Sequence, residues 1–303
     1  MTFDGESKPD FPTSNFALAQ IARSRDHAGP ATQRGRPQPA RTKDGKTGMP
    51  DSSESAAKVV TAAILVIGDE SLSGRTKDKN IGYIAEYLTN IGIDLREVRV
   101  VADVEDEIVA AVNALRARYD HVFTTGGIGP THDDITADAI AKAFGVPIDV
   151  DPRAVALLLE RIPKDQLNEA RLRMARIPKG AELIANSVSK APGFSLGNVH
   201  VMAGVPSIMQ AMLDAVASRL ETGRKMLSRS LPAGLKEGDI AGPLGAIQTE
   251  YPDVPIGSYP NFDPATGFTT TIVLRSRDEA RLAAAEAAVK AMLDDLKAAL
   301  AEQ

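Results

Sequence analysis

Fifteen residues in the middle of the chain concentrate the side chains that could do chemistry. The stretch from Thr124 to Asp138 reads TTGGIGPTHDDITAD and contains three glycines and three aspartates. Glycine lets backbone N–H groups approach a ligand because it has no Cβ, and such a loop before a helix favours an anion such as phosphate. Three carboxylates would repel that anion unless a cation lies between them. The pattern therefore favours a phosphate site with a divalent metal.

The same stretch has a plainer interpretation. Glycine-rich turns between a strand and a helix are common in α/β proteins. Aspartates near a helix N-terminus stabilise the helix by about 0.3–1 kcal/mol through its dipole, without any ligand. The spacing matches neither the GxGxxG dinucleotide loop nor the Gly-Lys-Ser/Thr ending of the P-loop. From the residues alone, a ligand site and a structural turn are equally open.

The hydrophobic pattern predicts the elements that hold this stretch. Strands are predicted at residues 59–67, 94–101 and 121–125, and helices at 76–90, 104–118 and 135–144. Apolar, β-branched runs that alternate with helical patterns imply right-handed βαβ crossovers. We therefore expect an α/β fold with a doubly wound, mostly parallel sheet, whose ligands bind at the carboxyl ends of the strands.

Carboxylates follow each of the three predicted strands. The side chains expected to converge at this sheet edge are Asp69, Glu70, Asp103, Asp133, Asp134 and Asp138. Clustered carboxylates raise one another's pKa unless a cation compensates, so the cluster favours magnesium or a similar hard metal. Each could instead cap a helix, and Asp103 stands where an N-cap of helix 104–118 would be. Arg75 and Lys77 could meet phosphates, although basic loop residues are usually only solvated.

The rest of the chain divides into three parts. Residues 1–57 hold 6 of the 19 prolines and show no apolar period, which predicts a disordered extension. Further helices are predicted at 151–160, 165–173 and 208–220, and strands at 182–185 and 199–203. Gly204 then forms either a second phosphate-facing turn or an ordinary βα turn. After residue 222, helices at 239–250 and from 278, and strands at 254–259 and 268–275, predict a small α+β unit.

Composition limits the classes of partner. The chain has no cysteine, which excludes disulfide and thiolate chemistry. Its apolar runs are too short to cross a membrane, and no secretory signal is recognisable, so we expect a cytoplasmic protein without a membrane partner. Residues 242–245 match the GxxG of KH domains. Residues 230–303, however, carry 6 basic and 11 acidic side chains, which argues against a nucleic-acid partner.

The stretch 124–138 resembles the signature of the MoaB/MogA molybdopterin-binding fold. Further motifs make the chain similar to the N-terminal part of CinA-type (competence/damage-inducible) proteins and to their relative fused to eukaryotic FAD synthase. These motifs are Gly68-Asp69-Glu70, Gly74-Arg75-Thr76, Asp78, Asn80, and the residues at 191–194, 204–207 and 256–260. The similarity covers about residues 60–300. It implies a MoaB/Mog-like domain at 58–226 and a KH-like unit at 227–303.

The resemblance also implies site residues. It assigns catalysis to Asp103, Asp134 and Asp138, and a divalent metal, magnesium or similar, to Asp103 and Asp134. The residues expected to bind phosphate or nucleotide are Gly68, Asp69, Thr125, Gly126, Gly127, Gly129, Pro130, Thr131, Gly204, Pro206 and Ser207. A homo-oligomer, dimer or trimer, is expected from the same resemblance.

Three functions follow from the resemblance as hypotheses. CinA-like members are associated with metal-dependent hydrolysis of ADP-ribose or FAD at the pyrophosphate, so the first hypothesis is a nucleotide pyrophosphatase. MogA-like members adenylylate molybdopterin, so the second is molybdopterin binding and adenylylation. The third is a module that binds a pterin or nucleotide without turnover. Both enzymatic chemistries need a phosphate cradle and a metal that stabilises charge during in-line displacement.

Overall fold

The most apolar run of the chain forms the centre of the main sheet. Strand β1, Val60–Ile67, is buried at every position except Thr61. It pairs in parallel with β2, Ile93–Val101, on one side and with β3, His121–Thr125, on the other. A strand covered on both faces has this continuous apolar sequence. The computed structural model describes residues 58–263 and 267–301, which all fall in one compact unit of the chain.

Six strands make the main sheet. The other three strands are β6 (Glu182–Ile184), β7 (Gly193–Leu196) and β8 (Val199–Met202). The spatial order is β2-β1-β3-β8-β7-β6, and only β7 runs antiparallel to its neighbours. The predicted α/β class with a mostly parallel sheet is therefore confirmed. The pattern missed β7, because four residues are too few to show a period.

Helices cover both faces of this sheet. The helices of this part are α1 (Asp69–Leu72), α2 (Asn80–Asn90), α3 (Glu105–Arg116), α4 (Thr136–Phe144), α5 (Pro152–Leu159), α6 (Glu169–Leu172) and α7 (Pro206–Ala217), of which α1 and α6 are single turns without buried residues. One apolar core lies between the sheet and α3, α4 and α5, and a second lies between the sheet and α2 and α7. This two-sided packing is what a doubly wound sheet requires.

Two predicted helices differ from the structure. Helix α2 begins at Asn80 rather than at residue 76, because Oδ1 of Asp78 accepts hydrogen bonds from the N–H groups of Asn80 and Ile81 at 3.0 and 2.7 Å. The predicted helix 165–173 is wrong over most of its length. Only the one-turn α6 forms, where Asn168 caps the N–H of Arg171, and short 3-10 turns flank it.

A two-stranded antiparallel sheet follows these turns. It pairs β4, Ile148–Val150, with β5, Arg176–Pro178. Neither strand was predicted from the sequence, because three residues cannot show an alternating pattern. Strand β5 carries Arg176 to the site described below.

The C-terminal part has its own sheet and its own apolar core. Its elements are β9 (Leu227–Pro232), α8 (Glu237–Glu250), β10 (Ile256–Asp263), β11 (Gly267–Ser276) and α9 (Glu279–Ala301). The strands are antiparallel in the order β10-β11-β9. Residues 242–245 lie inside α8 and not in a loop, so they do not form the exposed GxxG loop that grips nucleic-acid backbone in KH domains.

One arginine joins this part to the main sheet. Arg277 pairs with Asp94 of β2, and its Nε donates a hydrogen bond of 2.9 Å to the carbonyl oxygen of Arg224. Within residues 58–263 and 267–301, no helix is both long and apolar enough to cross a membrane. The prediction of disorder for residues 1–57 lies outside the described residues.

Candidate functional site

The glycine-rich turn after β3 is clamped by its neighbours. Gly126 and Gly127 have φ angles of +104° and +66°, which residues with a side chain rarely adopt. A Cβ on Gly126 would lie 2.1 Å from the carbonyl oxygen of Ile67, and one on Gly127 would lie 2.1 Å from Oγ1 of Thr136. Thr136 also donates through Oγ1 and N–H to the carbonyls of Gly126 and Gly127, both at 3.0 Å. The turn is therefore fixed between β1 and α4.

Three N–H groups of the turn are available to a ligand. In the described part of the chain, the amides of Gly127, Ile128 and Gly129 donate to no carbonyl and no side chain. The Gly126 amide, in contrast, donates to the carbonyl of Met202 in β8 at 3.2 Å. The three residues with free amides line the same two cavities. Successive free amides next to a cavity can donate hydrogen bonds to the oxygens of an anion such as phosphate.

The second glycine turn packs against the first. A Cβ on Gly204 would lie 3.3 Å from Cα of Gly126, so the backbones of the two turns are in near contact. The carbonyl of Gly204 accepts a hydrogen bond of 2.8 Å from Nδ2 of Asn80, the first residue of α2. Pro206 begins α7 and lines a cavity there. The ends of β3 and β8 and the start of α2 thus meet at one point.

Asp134 folds back over the turn. Its Oδ2 accepts hydrogen bonds from the N–H and Oγ1 of Thr131, at 2.8 and 2.5 Å. A Cβ on Gly129 would lie 2.6 Å from the same oxygen, so glycine leaves room for this carboxylate. Among the described residues, nothing donates a hydrogen bond to Oδ1 of Asp134. The carboxylate is half-buried, lines both cavities beside the free amides, and keeps one oxygen for a ligand or a water.

The other predicted carboxylates collect at the ends of β1 and β2. The amide of Asp69 donates to Oδ2 of Asp103 at 3.0 Å, and the amide of Asp103 donates to Oδ1 of Asp69 at 3.4 Å. Burial raises the pKa of Asp103, and the negative charges of Asp69, Glu70 and Asp133 raise it further. In the part of the chain that the structure describes, no three acidic or histidine side chains are grouped to hold a metal by themselves.

We expect Asp103→Asn to raise the melting temperature at pH 7 in the presence of EDTA. A pKa raised on folding means that ionised Asp103 destabilises the folded protein. This penalty is absent below the ordinary pKa of 3.8 and fully present above the folded-state pKa. Because solvent screens a partly exposed group, the expected rise is only about 2 °C.

Thermal melts at pH 7 and pH 3 check this prediction. The difference between Asp103→Asn and wild type should disappear at pH 3. The control is Asp106→Asn, because Lys142 lowers the pKa of Asp106, and its melting temperature should not rise. A lower melting temperature for Asp103→Asn at pH 7 would contradict the assignment of a penalty from burial and repulsion to the ionised Asp103.

Asp138 has a partner that the sequence did not indicate. Its two carboxylate oxygens accept hydrogen bonds from Nη1 and Nη2 of Arg176, at 2.7 and 2.6 Å. Both side chains are about two-thirds or more buried, with 31% of Arg176 and 27% of Asp138 exposed. The bidentate pair ties α4 to β5 and uses both oxygens of Asp138. The catalytic role of Asp138 stays a prediction.

Two matched variants distinguish a structural role of Asp138 from a catalytic one. We expect Asp138→Asn and Arg176→Gln each to lower the unfolding free energy by about 1 kcal/mol, because each breaks the same half-buried pair. Their effects on turnover should also be equal. Denaturant unfolding and rate assays on both variants check this. If Asp138→Asn alone lost activity, Asp138 would act on the substrate.

Three adjoining cavities surround the two turns. The first, of about 420 Å³, has an apolar wall of Leu158, Ile162, Met174, Ile208 and Met212. The second, of about 220 Å³, has a polar wall that includes Thr76, Lys77, Lys79, Asn80 and Thr125. The third, of about 20 Å³, is lined by Asp134, Asp138, Arg173 and Arg176. The first cavity is of the size that accommodates a small organic ligand.

The free amides lie where the first and third cavities meet. Gly126, Gly204 and Glu70 line both the first and the second cavity, while the residues from Gly127 to Gly129 line both the first and the third. The groove is therefore continuous around the turns, with a polar, an apolar and an arginine-lined part. A ligand with a central anionic group and two unlike ends suits this shape.

The structure brings together many, but not all, of the predicted site residues. The glycines at 126, 127, 129 and 204 line the groove with Thr125, Pro130, Asp134, Asp138 and Pro206. Thr131 acts by orienting Asp134. Gly68, Asp69, Asp103 and Ser207 line none of these three cavities; the amide of Gly68 donates to the carbonyl of Val101 at 3.2 Å and joins β1 to β2. The sequence did not indicate Arg173 or Arg176.

Comparison with known proteins identifies the family. Residues 63–222 match the family model described as "probable molybdopterin binding domain", and residues 225–301 match the middle domain of FAD synthase. The first match alone covers more than half of the 303 residues. The chain belongs to the MoaB/Mog domain family. The resemblance inferred from the glycine-rich stretch is therefore confirmed.

Individual relatives place this MoaB/Mog protein with the CinA type. It is 34% identical over 197 residues to a protein of Archaeoglobus fulgidus, a match that covers 65% of this chain and 84% of the relative. It is 37% identical over 211 residues to a CinA-like protein of Desulfosudis oleivorans, covering 65% of this chain and 51% of that protein. The crystal structure of the protein CinA, of unknown function, from Thermoplasma acidophilum is 35% identical, with a TM-score of 0.51 over 53% of this chain and 98% of the other.

Proposed function

We propose that this MoaB/Mog protein is a metal-dependent pyrophosphatase that cleaves an ADP-ribose-like or FAD-like dinucleotide. The observation that carries the proposal is the set of free amides of Gly127, Ile128 and Gly129 at the centre of a continuous groove. A dinucleotide has a pyrophosphate in its middle and a nucleoside or sugar at each end. Its pyrophosphate suits the amides, and its two ends suit the apolar and polar parts of the groove.

The carboxylates present fit a divalent metal that the substrate helps to bind. Magnesium needs only one or two carboxylates when phosphate oxygens and water complete its coordination. Burial first, and then the negative charges of Asp69 and Glu70, raise the pKa of Asp103, so a cation bound at this group would be stabilising. We assign the metal to this group, which reaches the groove through Glu70, and Oδ1 of Asp134 stays available for the attacking water. When bound, the metal would neutralise charge on the phosphoryl oxygens.

The protein's own groups supply the remaining steps of hydrolysis. The amides of Gly127, Ile128 and Gly129 hold oxygens of the phosphoryl group that is attacked, and they are fixed before the reaction because the turn is clamped. Oδ1 of Asp134 orients the attacking water and accepts its proton. The water oxygen forms a bond to phosphorus, and the bridging oxygen leaves with the other phosphate.

Molybdopterin adenylylation is the second candidate, because the family model that matches residues 63–222 is named for molybdopterin binding. A pterin ring could pack on the apolar wall of the groove, and ATP would then supply the phosphate that the amides hold. A ligand-binding module without turnover is the third candidate. A cytoplasmic location and a homo-oligomeric state stay predictions.

One screen separates the three functions. Pure full-length protein is incubated with ADP-ribose, with FAD, or with molybdopterin and ATP, each with magnesium, manganese or cobalt. Release of AMP from a dinucleotide supports the pyrophosphatase, and pterin-dependent release of pyrophosphate from ATP supports the adenylyltransferase. Calorimetric binding without any product supports the module. Absence of AMP release under every metal contradicts the proposed function.

A further inference from the structure

The guanidinium of Arg173 lies in the groove without a direct ion pair. Its charge reaches the exposed Asp133, whose pKa is lowered first by a hydrogen bond with Thr131 and further by Arg173. Arg173 is half-buried and lines the third cavity beside Gly127, Gly129 and Asp134. Its Nη2 donates a hydrogen bond of 3.2 Å to the backbone carbonyl of Asp134. Its Nε is fully buried and has no acceptor. Across residues 58–263 and 267–301, no carboxylate forms an ion pair with this guanidinium.

A second arginine in the same cavity provides the contrast. Arg176 is also partly buried, but Asp138 neutralises it through two hydrogen bonds. A buried charge without a partner is unfavourable, as is a buried N–H without an acceptor. The planar guanidinium of Arg173 retains N–H groups that match the oxygens of a phosphate. An anion bound between this guanidinium and the free amides would satisfy both.

We propose that Arg173 binds a phosphate group of the ligand that the free amides of the turn also hold. This inference rests on the proposed function for the class of ligand, a nucleotide, but it does not require turnover. The phosphate would then be held by amides and a guanidinium together, where the first and third cavities meet. The hydrogen bond to the carbonyl of Asp134 then keeps the guanidinium next to the turn.

Binding of AMP and of adenosine to full-length protein tests the inference. The two probes differ only in the phosphate, so their affinity ratio within one variant is independent of the folded fraction. We expect Arg173→Gln to weaken AMP about 30-fold and to leave adenosine unchanged. The AMP affinity of Arg173→Lys should lie between those of wild type and Arg173→Gln, because lysine keeps the charge but lacks the planar guanidinium. Arg171→Gln, two residues away and outside the cavity lining, should match wild type.

The alternative outcomes are distinct. Equal loss of AMP and adenosine binding in Arg173→Gln would show that Arg173 only shapes the cavity, and it would overturn the inference. Unchanged AMP binding, or no AMP binding by wild type, would also overturn it. If the AMP effect appears while no dinucleotide is hydrolysed, the proposed function fails and the phosphate site stands.

Discussion

Gly126→Ala is expected to destabilise the protein by about 3 kcal/mol or more and to lower the melting temperature by roughly 10 °C. The φ of +104° is unfavourable for alanine, and the new Cβ would lie 2.1 Å from the carbonyl oxygen of Ile67. That oxygen belongs to the backbone at the end of β1, so no side-chain rotation can relieve the clash. The turn must move, and its amides move with it. Nucleotide binding should therefore be lost as well.

Gly82→Ala is the matched control. Gly82 lies in α2, and an added Cβ there meets nothing within 4 Å. Alanine is the better helix former, so this variant should be slightly more stable than wild type, by up to about 1 kcal/mol. Denaturant unfolding of both variants measures the difference. A Gly126→Ala protein that melts within about 2 °C of wild type would show that the turn is not clamped as described.

Asp134→Asn is expected to lower the rate of dinucleotide hydrolysis at least about 100-fold, a barrier increase of roughly 2.7 kcal/mol. The change removes the charge that takes the proton of the attacking water. It should leave the melting temperature within about 2 °C of wild type, because the amide oxygen of asparagine can still accept the hydrogen bonds of Thr131. The loss should appear in kcat more than in KM.

Asp165→Asn is the control for this variant. Asp165 is an exposed aspartate outside all three cavities. The variant should therefore hydrolyse the dinucleotide at the rate of wild type. Steady-state kinetics at saturating metal compares the three proteins. Activity of Asp134→Asn within about threefold of wild type would remove Asp134 from the mechanism.

The sequence predicts the elements whose signal is local and long. The apolar run of β1 and the helical period of α3 indicate burial directly, because burial on one or both faces selects apolar residues with that period. The glycines at 126 and 127 indicate the turn just as directly, because their positions need backbone conformations that other residues avoid. The resemblance of residues 124–138 to a known family then predicted the fold of the whole domain.

The rest of the site depends on contacts between distant residues. The partner of Asp138 is Arg176, on a three-residue strand inside a segment that the pattern interpreted as helix and loop. Arg173 reaches Asp134 from a 3-10 turn that shows no sequence signal. The convergence of carboxylates was predicted from their positions after the carboxyl ends of three predicted strands. In the structure, side-chain partners divide them between the ends of β1 and β2 and the groove.

The most direct test of the proposed chemistry is the release of products from ADP-ribose by pure full-length protein with a divalent metal. We expect AMP and ribose 5-phosphate to appear in equal amounts, at a rate proportional to protein concentration, and EDTA to stop the reaction. The same preparation of Asp134→Asn should release at least about 100-fold less. No AMP from wild type with any divalent metal, or equal rates from wild type and Asp134→Asn, would contradict the account.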